Sequence, residues 1–285
     1  MADGGGVPAP NARIVGGRLV EIRPGRVVSL ALHEPAQPAQ TAVFLCHGAG
    51  GNKNQWRNQW LWLSGLGFRV VAWDFAGHGE SAQPRKAEVY DGEAFVADYL
   101  ALVERYGAAR NILIGHSYGA RLTLCVLAAL KAEGRLALVE RAVLLGAPPP
   151  VPTLGLGPIA EWPLWRLILI RPLINRGFLK AAWAPAADPP LVKFEDRAAR
   201  RNSLFMMKAM LTRSAPLDAV DLPGLDLPVL ILAGDHDGVT PPASGRAVAE
   251  FLPDVRFELI ADCGHQIMLE QPVRTNALIG AFIGA

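Results

Sequence analysis

The stretch Asn111-Ile-Leu-Ile-Gly-His-Ser-Tyr-Gly119 joins a short apolar run to a Gly-x-Ser-x-Gly motif, and a helix-forming segment follows it. Such an apolar run predicts a strand that is buried on both faces of a sheet. Gly115 and Gly119 leave room for a sharp turn at the strand end, and that turn exposes the hydroxyl of Ser117. The stretch therefore predicts a candidate nucleophile between a buried strand and a helix that continues to about Lys131.

Strands and helices alternate along the chain on both sides of this motif. Besides the strand Asn111–Ile114, the predicted strands are Ile14–Ile22, Arg26–His33, Ala42–Cys46, Phe68–Trp73, Ala142–Leu145, Val229–Ala233 and Val255–Ile260. The other predicted helices are Gln55–Ser64, Gly92–Tyr106, Ala243–Phe251 and Val273–Ile283. This alternation predicts an α/β fold with a mostly parallel, doubly wound sheet that has helices on both faces.

The alternation stops between Pro148 and about Pro216 and then resumes, which indicates an insertion into a single domain. Residues 1–147 and 217–285 are predicted to form the core domain, with residues 1–12 as a frayed tail. Residues 148–216 are predicted to form a mainly helical cap. A length of 285 residues suits one large α/β domain with such an insertion.

Composition excludes several classes of protein. The chain is 51% hydrophobic and 19% charged, which is a globular balance. Its net charge of +2 gives no reason to expect a nucleic-acid partner. The three cysteines lie far apart, so neither a disulfide framework nor a zinc site is predicted, and no motif calls for a cofactor. The start lacks a signal peptide and prolines interrupt the longest uncharged stretch, so we expect a soluble, cytoplasmic protein whose oligomeric state stays open.

An acidic residue and a histidine follow the last two predicted strands, in the order Ser, Asp, His that is expected for a serine nucleophile in this strand–helix architecture. A serine hydroxyl attacks only when a base accepts its proton, and the base needs an acid to orient it. Asp237 and His265 come after Ser117 in the order Ser, Asp, His, each beyond the carboxyl end of a strand. Asp235 is the alternative acid. Ser117, Asp237 and His265 are therefore the candidate catalytic residues.

These motifs resemble those of the α/β-hydrolase family, in its serine-hydrolase branch. The resemblance is strongest to abhydrolase-domain-containing proteins with a Gly-His-Ser-Tyr-Gly elbow, and it extends to His47-Gly-Ala-Gly50, Asp74–Ser81 and Gly264-His265. It implies a sheet of the α/β-hydrolase type with a cap insertion, and it favours Asp237 over Asp235. It also implies that the backbone N–H groups of Ala49 and Tyr118 form an oxyanion hole.

The resemblance implies a serine hydrolase that cleaves carboxylic esters of small molecules through an acyl-enzyme. Since such insertions cap the site in this family, aromatic residues of the insertion are expected to line a pocket for lipophilic acyl groups. The candidates are Trp162, Trp165, Phe178 and Trp183. Arginines and lysines interleaved with them suggest a peripheral contact between the cap and a lipid surface.

Two alternatives stay open. The run His47-Gly-Ala-Gly-Gly-Asn52 is similar to the oxyanion loop of C–C bond hydrolases that act on ring-cleavage diketones, although the elbow of that group differs from this one. A non-catalytic, ligand-sensing protein of the same fold is the other alternative, since one fold hosts many functions. No metal site is expected, because the consecutive side chains Asp235-His236-Asp237 point in different directions.

Overall fold

A computed structural model describes residue 9 and residues 11–14, 16–150, 162–215, 217 and 221–285 of the chain. Within these residues one sheet has the strand order β1-β2-β4-β3-β5-β6-β7-β8. The strands are β1 Arg18–Arg23, β2 Arg26–His33, β3 Thr41–Cys46, β4 Arg69–Asp74, β5 Arg110–His116, β6 Arg141–Leu145, β7 Val229–Gly234 and β8 Val255–Ile260. Only the pairs β1–β2 and β2–β4 are antiparallel. The predicted α/β fold with a mostly parallel sheet is confirmed.

Helices cover both faces of the sheet. The α-helices are α1 Arg57–Gly65, α2 Gly92–Tyr106, α3 Tyr118–Ala132, α4 Leu164–Ala182, α5 Pro189–Ala199, α6 Leu204–Thr212, α7 Pro242–Ala249, α8 Ile267–Glu270 and α9 Pro272–Ile283. Short 3-10 turns lie at Lys53–Trp56, Ala87–Tyr90 and Leu136–Leu138. None of these helices in the described part of the chain has the length and apolarity to cross a membrane.

Two hydrophobic cores lie on opposite faces of the sheet, and β3 shows how its residues divide between them. Phe44 packs into the core that includes residues of α2 and α3, whereas Val43 and Leu45 pack into the core on the other face. Side chains of a strand alternate between faces, so a fully apolar run buries both faces at once. This is why the short apolar runs of the sequence became the central strands.

The first strand differs from its prediction. It begins at Arg18 rather than at Ile14, because Gly16 adopts a positive φ of 88° and turns the chain. The Ile14 N–H donates to the Asn54 side chain (2.9 Å), so this residue is buried without joining the sheet. The apolar pattern identified a buried residue correctly and assigned it to the wrong element.

Helices α4, α5 and α6 lie in the segment that was predicted to form the cap. Arg121 of α3 is buried and binds both sides of this segment: its Nη1 donates to the Pro150 carbonyl (3.3 Å) and its Nη2 to the Ala215 carbonyl (2.9 Å). Residues 151–161 and 216 of the predicted cap, and most of the predicted tail, lie outside the described residues. The division into core and cap stays a prediction.

Candidate active site

Ser117 occupies a strained turn between β5 and α3. Its φ of 54° and ψ of −116° are unusual for a residue with a side chain. A Cβ at Gly115 would lie 2.4 Å from the Gly119 carbonyl oxygen, and a Cβ at Gly119 would lie 2.3 Å from that of Cys46. The two glycines of the motif are therefore required by close backbone packing, which holds the Ser117 side chain at the end of the sheet.

His265 and Asp237 are joined by a direct hydrogen bond at the same end of the sheet. The ring Nδ1 of His265 lies 2.8 Å from Asp237 Oδ2, and both side chains are buried. A Cβ at Gly146 would lie 3.2 Å from the His265 ring. Leu145, the residue before Gly146, accepts the Ser117 N–H at its carbonyl oxygen (2.8 Å). The structure thus brings Ser117, Asp237 and His265 to the same end of the sheet.

Asp237 is kept ionised by the groups around it. Burial alone would raise the pKa of its carboxyl, but hydrogen bonds from His265 and Thr240 hold that pKa below its usual value. The backbone N–H groups of Val239 and Thr240 both donate to Oδ1 at 2.8 Å. An ionised carboxylate on Nδ1–H keeps the imidazole in the tautomer that leaves Nε2 free as a base.

Thr240 is a contact of this pair that the sequence did not reveal. Its Oγ1 lies 2.9 Å from Asp237 Oδ2, 3.1 Å from His265 Nδ1 and 3.0 Å from the Gly146 carbonyl oxygen. A threonine three residues after an aspartate is a common side chain–backbone turn, which was the one available signal. That signal does not reveal the contact with His265, since the histidine is 25 residues away in the chain.

Asp235 has a different set of partners. Its Oδ1 accepts the backbone N–H of Cys263 at 3.0 Å, which fixes the turn after β8. Burial alone would raise the pKa of this carboxyl, but hydrogen bonds from backbone N–H groups in that turn lower it below its usual value. The geometry therefore places Asp237, and not Asp235, against the His265 ring.

His116 binds the main chain of His265. Its Nε2 lies 2.8 Å from the His265 carbonyl oxygen, and the two rings are 4.7 Å apart. A carbonyl oxygen only accepts, so Nε2 of His116 carries the hydrogen. Burial, followed by the neighbouring His265, lowers the pKa of His116 to about 3. The ring is therefore neutral and holds the main chain of His265 in place.

The predicted oxyanion residues lie on either side of the nucleophile. Tyr118 is the first residue of α3, so its N–H has no acceptor within the helix. The loop with Ala49 touches the elbow, because a Cβ at Gly48 would lie 3.1 Å from Ser117 Cβ. Among the described residues, no hydrogen-bond partner is recorded for the Ala49 N–H. Two backbone donors are thus available close to Ser117.

Two buried histidines fix the loop that carries Ala49. His47 Nε2 accepts the Phe75 N–H (3.1 Å), and His78 Nε2 accepts the Gly50 N–H (3.1 Å). Burial is the largest cause that lowers the pKa of each imidazole to about 3. Since an accepting ring nitrogen carries no proton, both rings must stay neutral for this loop to keep its shape.

Glu270 ties the His265 loop to the end of α4. Its carboxylate accepts the N–H groups of Ala184 (2.8 Å), Gly264 (3.1 Å) and Gln266 (3.1 Å). Burial raises the pKa of this carboxyl in spite of its three donors.

The four predicted pocket aromatics do not lie together in one lining. Trp162, Trp165 and Phe178 are exposed, whereas Trp183 is buried in a core and lines a cavity of about 350 Å³ between α4 and α5. Their role in lining an acyl pocket stays a prediction. An apolar run in a sequence does not tell which face of its helix turns inward.

Side chains from the region of α6 lie against the loop that carries Ala49 and against the turn at Gly77. Asn202 donates to the Gly50 carbonyl oxygen (2.6 Å), and a Cβ at Gly50 would lie 3.7 Å from Met207 Cε. A Cβ at Gly77 would collide with Met206 at 2.5 Å. No group of three or more His, Cys, Asp or Glu side chains that could hold a metal ion occurs among the described residues.

The fold and this elbow define a hydrolase-type scaffold, and comparison identifies its family. The chain belongs to the alpha/beta hydrolase family, whose family model matches residues 43–278. It is 31% identical over 291 residues to Protein ABHD8 of Bos taurus, covering 99% of this chain and 66% of that protein. The chain thus spans just under two thirds of the length of this relative.

Two further comparisons extend the likeness. Epoxide hydrolase A of Mycobacterium tuberculosis is 36% identical over 93 residues, which are 33% of this chain and 29% of that protein. The solved structure of an esterase from Exiguobacterium antarcticum superposes with a TM-score of 0.79 at 19% identity, covering 95% of this chain and 100% of that chain. At such low identity, the structural likeness establishes the fold alone.

Proposed function

We propose that this protein is a serine hydrolase that cleaves carboxylic esters through an acyl-enzyme on Ser117. The observation that carries the proposal is the 2.8 Å hydrogen bond between His265 Nδ1 and the ionised Asp237, at the sheet edge where the strained elbow holds Ser117. An aspartate nucleophile would be needed for the epoxide-opening reaction of the family, and this elbow carries serine. Membership of the alpha/beta hydrolase family supports hydrolysis in general.

The proposed reaction has two halves. Ser117 Oγ attacks the ester carbonyl carbon while His265 Nε2 accepts its proton, and the N–H groups of Ala49 and Tyr118 donate to the oxygen that becomes negative. His265 then gives the proton to the leaving alcohol, and the acyl group stays on Ser117. A water, deprotonated by the same histidine, releases the acid and restores the hydroxyl.

Lipophilic acyl esters are the proposed substrate class. The support is a pair of methionines on α6, with Met207 against Gly50 and Met206 against Gly77, since flexible thioether side chains suit acyl chains of varied shape. Two cationic side chains near the site, Lys53 and Arg57, are both buried in ion pairs with carboxylates. They are thus occupied with partners of their own and give no reason to expect an anionic substrate.

A fluorophosphonate probe tests the proposed nucleophile directly. The wild-type protein is expected to be labelled and to hydrolyse p-nitrophenyl esters, with faster turnover of octanoyl than of acetyl esters. Ser117→Ala is expected to lose labelling and to lose about 10⁴-fold or more in kcat. Ser244→Ala is the matched control, because Ser244 lies on α7, and it should behave as wild type.

Three outcomes would contradict parts of the proposal. An unlabelled wild-type protein, or a labelled Ser117→Ala variant, would remove the serine nucleophile. Labelling without ester turnover would favour a C–C bond hydrolase or a ligand-sensing protein. A preference for acetyl esters would remove the lipophilic substrate class and leave the nucleophile intact.

A further inference from the structure

Helix α4 presents an apolar face to solvent. Only Leu167 and Ala182 of its 19 residues are buried. Trp165, Leu169 and Leu173 are 58%, 71% and 70% exposed, and their spacing of four residues places them on one face. Ile168 on the same helix is also exposed, by 55%, so α4 carries a continuous apolar surface. Contiguous apolar surface of this kind marks a binding surface.

The same helix carries four positive charges and no negative one. Arg166, Arg176 and Lys180 are exposed, and Arg171 is bound to main-chain carbonyls of the α5–α6 turn. The guanidinium of Arg166 lies 5.2 Å from the centroid of the Trp165 ring. Tryptophan with a stacked cation is an arrangement suited to the boundary between an apolar phase and water.

The positive charge of the chain is concentrated in this part of the molecule. Residues 162–215 contain ten Lys and Arg against three Asp and Glu, a net charge of +7. The whole chain carries only +2, so the remaining residues carry −5. Such a separation orients a molecule in an electric field, with α4 turned toward a negative surface.

We propose that this face of α4 docks on the surface of an anionic phospholipid bilayer. We define the α4 face by its apolar residues Trp165, Leu169 and Leu173 and its cations Arg166, Arg176 and Lys180. A helix with exposed Trp and Leu beside Arg and Lys lies in the interface, with the apolar side chains among the acyl chains and the cations at the headgroups. The charge complementarity selects an anionic bilayer over a neutral one.

The last turn of α4 connects this face to the candidate active site. The Ala182 carbonyl accepts the N–H of His265 (2.8 Å), and the Ala181 carbonyl accepts the N–H of Gly238 (2.9 Å), the residue after Asp237. A docked α4 would therefore hold the loops of both residues close to the membrane surface. Docking itself requires no ester hydrolysis, so its failure and the failure of the proposed function can be measured separately.

Vesicle flotation with the Ser117→Ala protein tests the docking without any turnover. We expect binding to phosphatidylcholine vesicles that contain about 30% phosphatidylglycerol at about 20 mM salt, and release at about 500 mM. The apolar variant Trp165→Ser, Leu169→Ser, Leu173→Ser should bind at least about tenfold more weakly. The charge variant Arg166→Gln, Arg176→Gln, Lys180→Gln should lose a similar factor and most of the salt dependence.

Two control variants carry the same changes elsewhere on the surface. The first control, Leu19→Ser, Leu61→Ser, Val273→Ser, removes three exposed apolar side chains outside the predicted cap. The second control, Arg18→Gln, Arg256→Gln, Arg274→Gln, removes three exposed cations outside the predicted cap. Both should bind the anionic vesicles as tightly as the parent protein. Because every changed side chain is exposed, all four variants are expected to fold, and thermal unfolding checks that they do.

Other results would overturn the proposal. Equal binding to vesicles of phosphatidylcholine alone would remove the role of charge, and an absence of binding to either vesicle would remove the docking. If the control variants lost as much vesicle binding as the α4 variants, the membrane-binding surface would not be the α4 face. A dimer in light scattering that the apolar variant converts to a monomer would show that a second copy of the chain covers the face instead.

Discussion

At the scale of single residues, Asp237 is the most completely bonded side chain of the site. One carboxylate oxygen accepts two backbone N–H groups, and the other faces both the His265 ring and the Thr240 hydroxyl. Both carboxylate oxygens therefore accept hydrogen bonds, two of them from backbone N–H groups and one from the His265 ring. Because the carboxylate is already held in place by these hydrogen bonds, little reorganisation free energy is needed for it to stabilise a positive charge on the imidazole.

The two neighbouring aspartates can be separated by mutation. Asp237→Asn is expected to lower kcat for a p-nitrophenyl ester by about 10⁴-fold, because an amide neither stabilises the imidazolium nor selects the working tautomer. Asp235→Asn should keep kcat near the wild-type value, since its amide oxygen can still accept the Cys263 N–H. The reverse pattern in steady-state kinetics would assign the acid to Asp235.

The candidate catalytic residues were predictable from the sequence, and the contacts that support them were not. Ser117 was predictable from its motif, and Asp237 and His265 from their positions after strand ends in the chain order of this architecture. Thr240 and His116 act through contacts with His265, and these contacts exist only once the sheet has formed. A local sequence pattern does not show which residues distant in the chain come into contact, so the roles of Thr240 and His116 become clear only in the folded structure.

At the scale of elements, a buried ion pair joins α5 to α1. Arg57 Nη1 lies 2.8 Å from Glu195 Oε1, with both side chains almost fully buried. Burial raises the pKa of Glu195 even though Arg57 opposes that shift. The attraction from Arg57 therefore does not fully offset the loss of hydration of the Glu195 carboxylate.

This pair predicts a specific pattern of stabilities. Arg57→Met should lower the free energy of unfolding by about 3–5 kcal/mol, because it leaves a carboxylate buried without its partner. The double variant Arg57→Met, Glu195→Leu should lose less than Arg57→Met alone, since no uncompensated charge remains. Urea denaturation measures all three proteins. Additive losses in the double variant would show that the two side chains act independently.

The observed bounds of an element agree with the predicted bounds where the hydrophobic periodicity of the sequence is strong. Helix α2 was predicted from Gly92 to Tyr106 and has those bounds, because its apolar spacing is regular. Helix α4 shows the opposite case: two of its residues, Trp165 and Phe178, were expected to line a pocket, and both are exposed. Periodicity reveals that an apolar face exists, and the partner of that face has to come from the structure.

At the scale of the whole molecule, three buried neutral histidines tie stability to pH. His47, His78 and His116 each have a pKa lowered to about 3, chiefly by burial. In the unfolded chain a histidine takes up its proton near pH 6.5. Between these two values the unfolded state binds more protons, so acid favours unfolding.

The free energy of unfolding should therefore fall as pH decreases below 6.5. Each histidine contributes a slope of about 1.4 kcal/mol per pH unit over that window. His78→Gln should show a slope smaller by about one such contribution, and comparison with the wild type cancels the carboxylates that titrate in both proteins. His236→Gln changes an exposed imidazole and serves as control. Identical slopes for His78→Gln and wild type in urea denaturation from pH 7 to pH 5 would contradict the assignment.

The guanidinium of Arg121 has a consequence for how this scaffold can change. Pro150 and Ala215 bond to the same side chain, so the chain leaves the sheet and returns to it at nearly one point. We therefore expect the segment between these two carbonyls to tolerate changes of length. Such changes should leave the sheet in place as long as Ala181 and Ala182 keep their hydrogen bonds to the loops of Asp237 and His265.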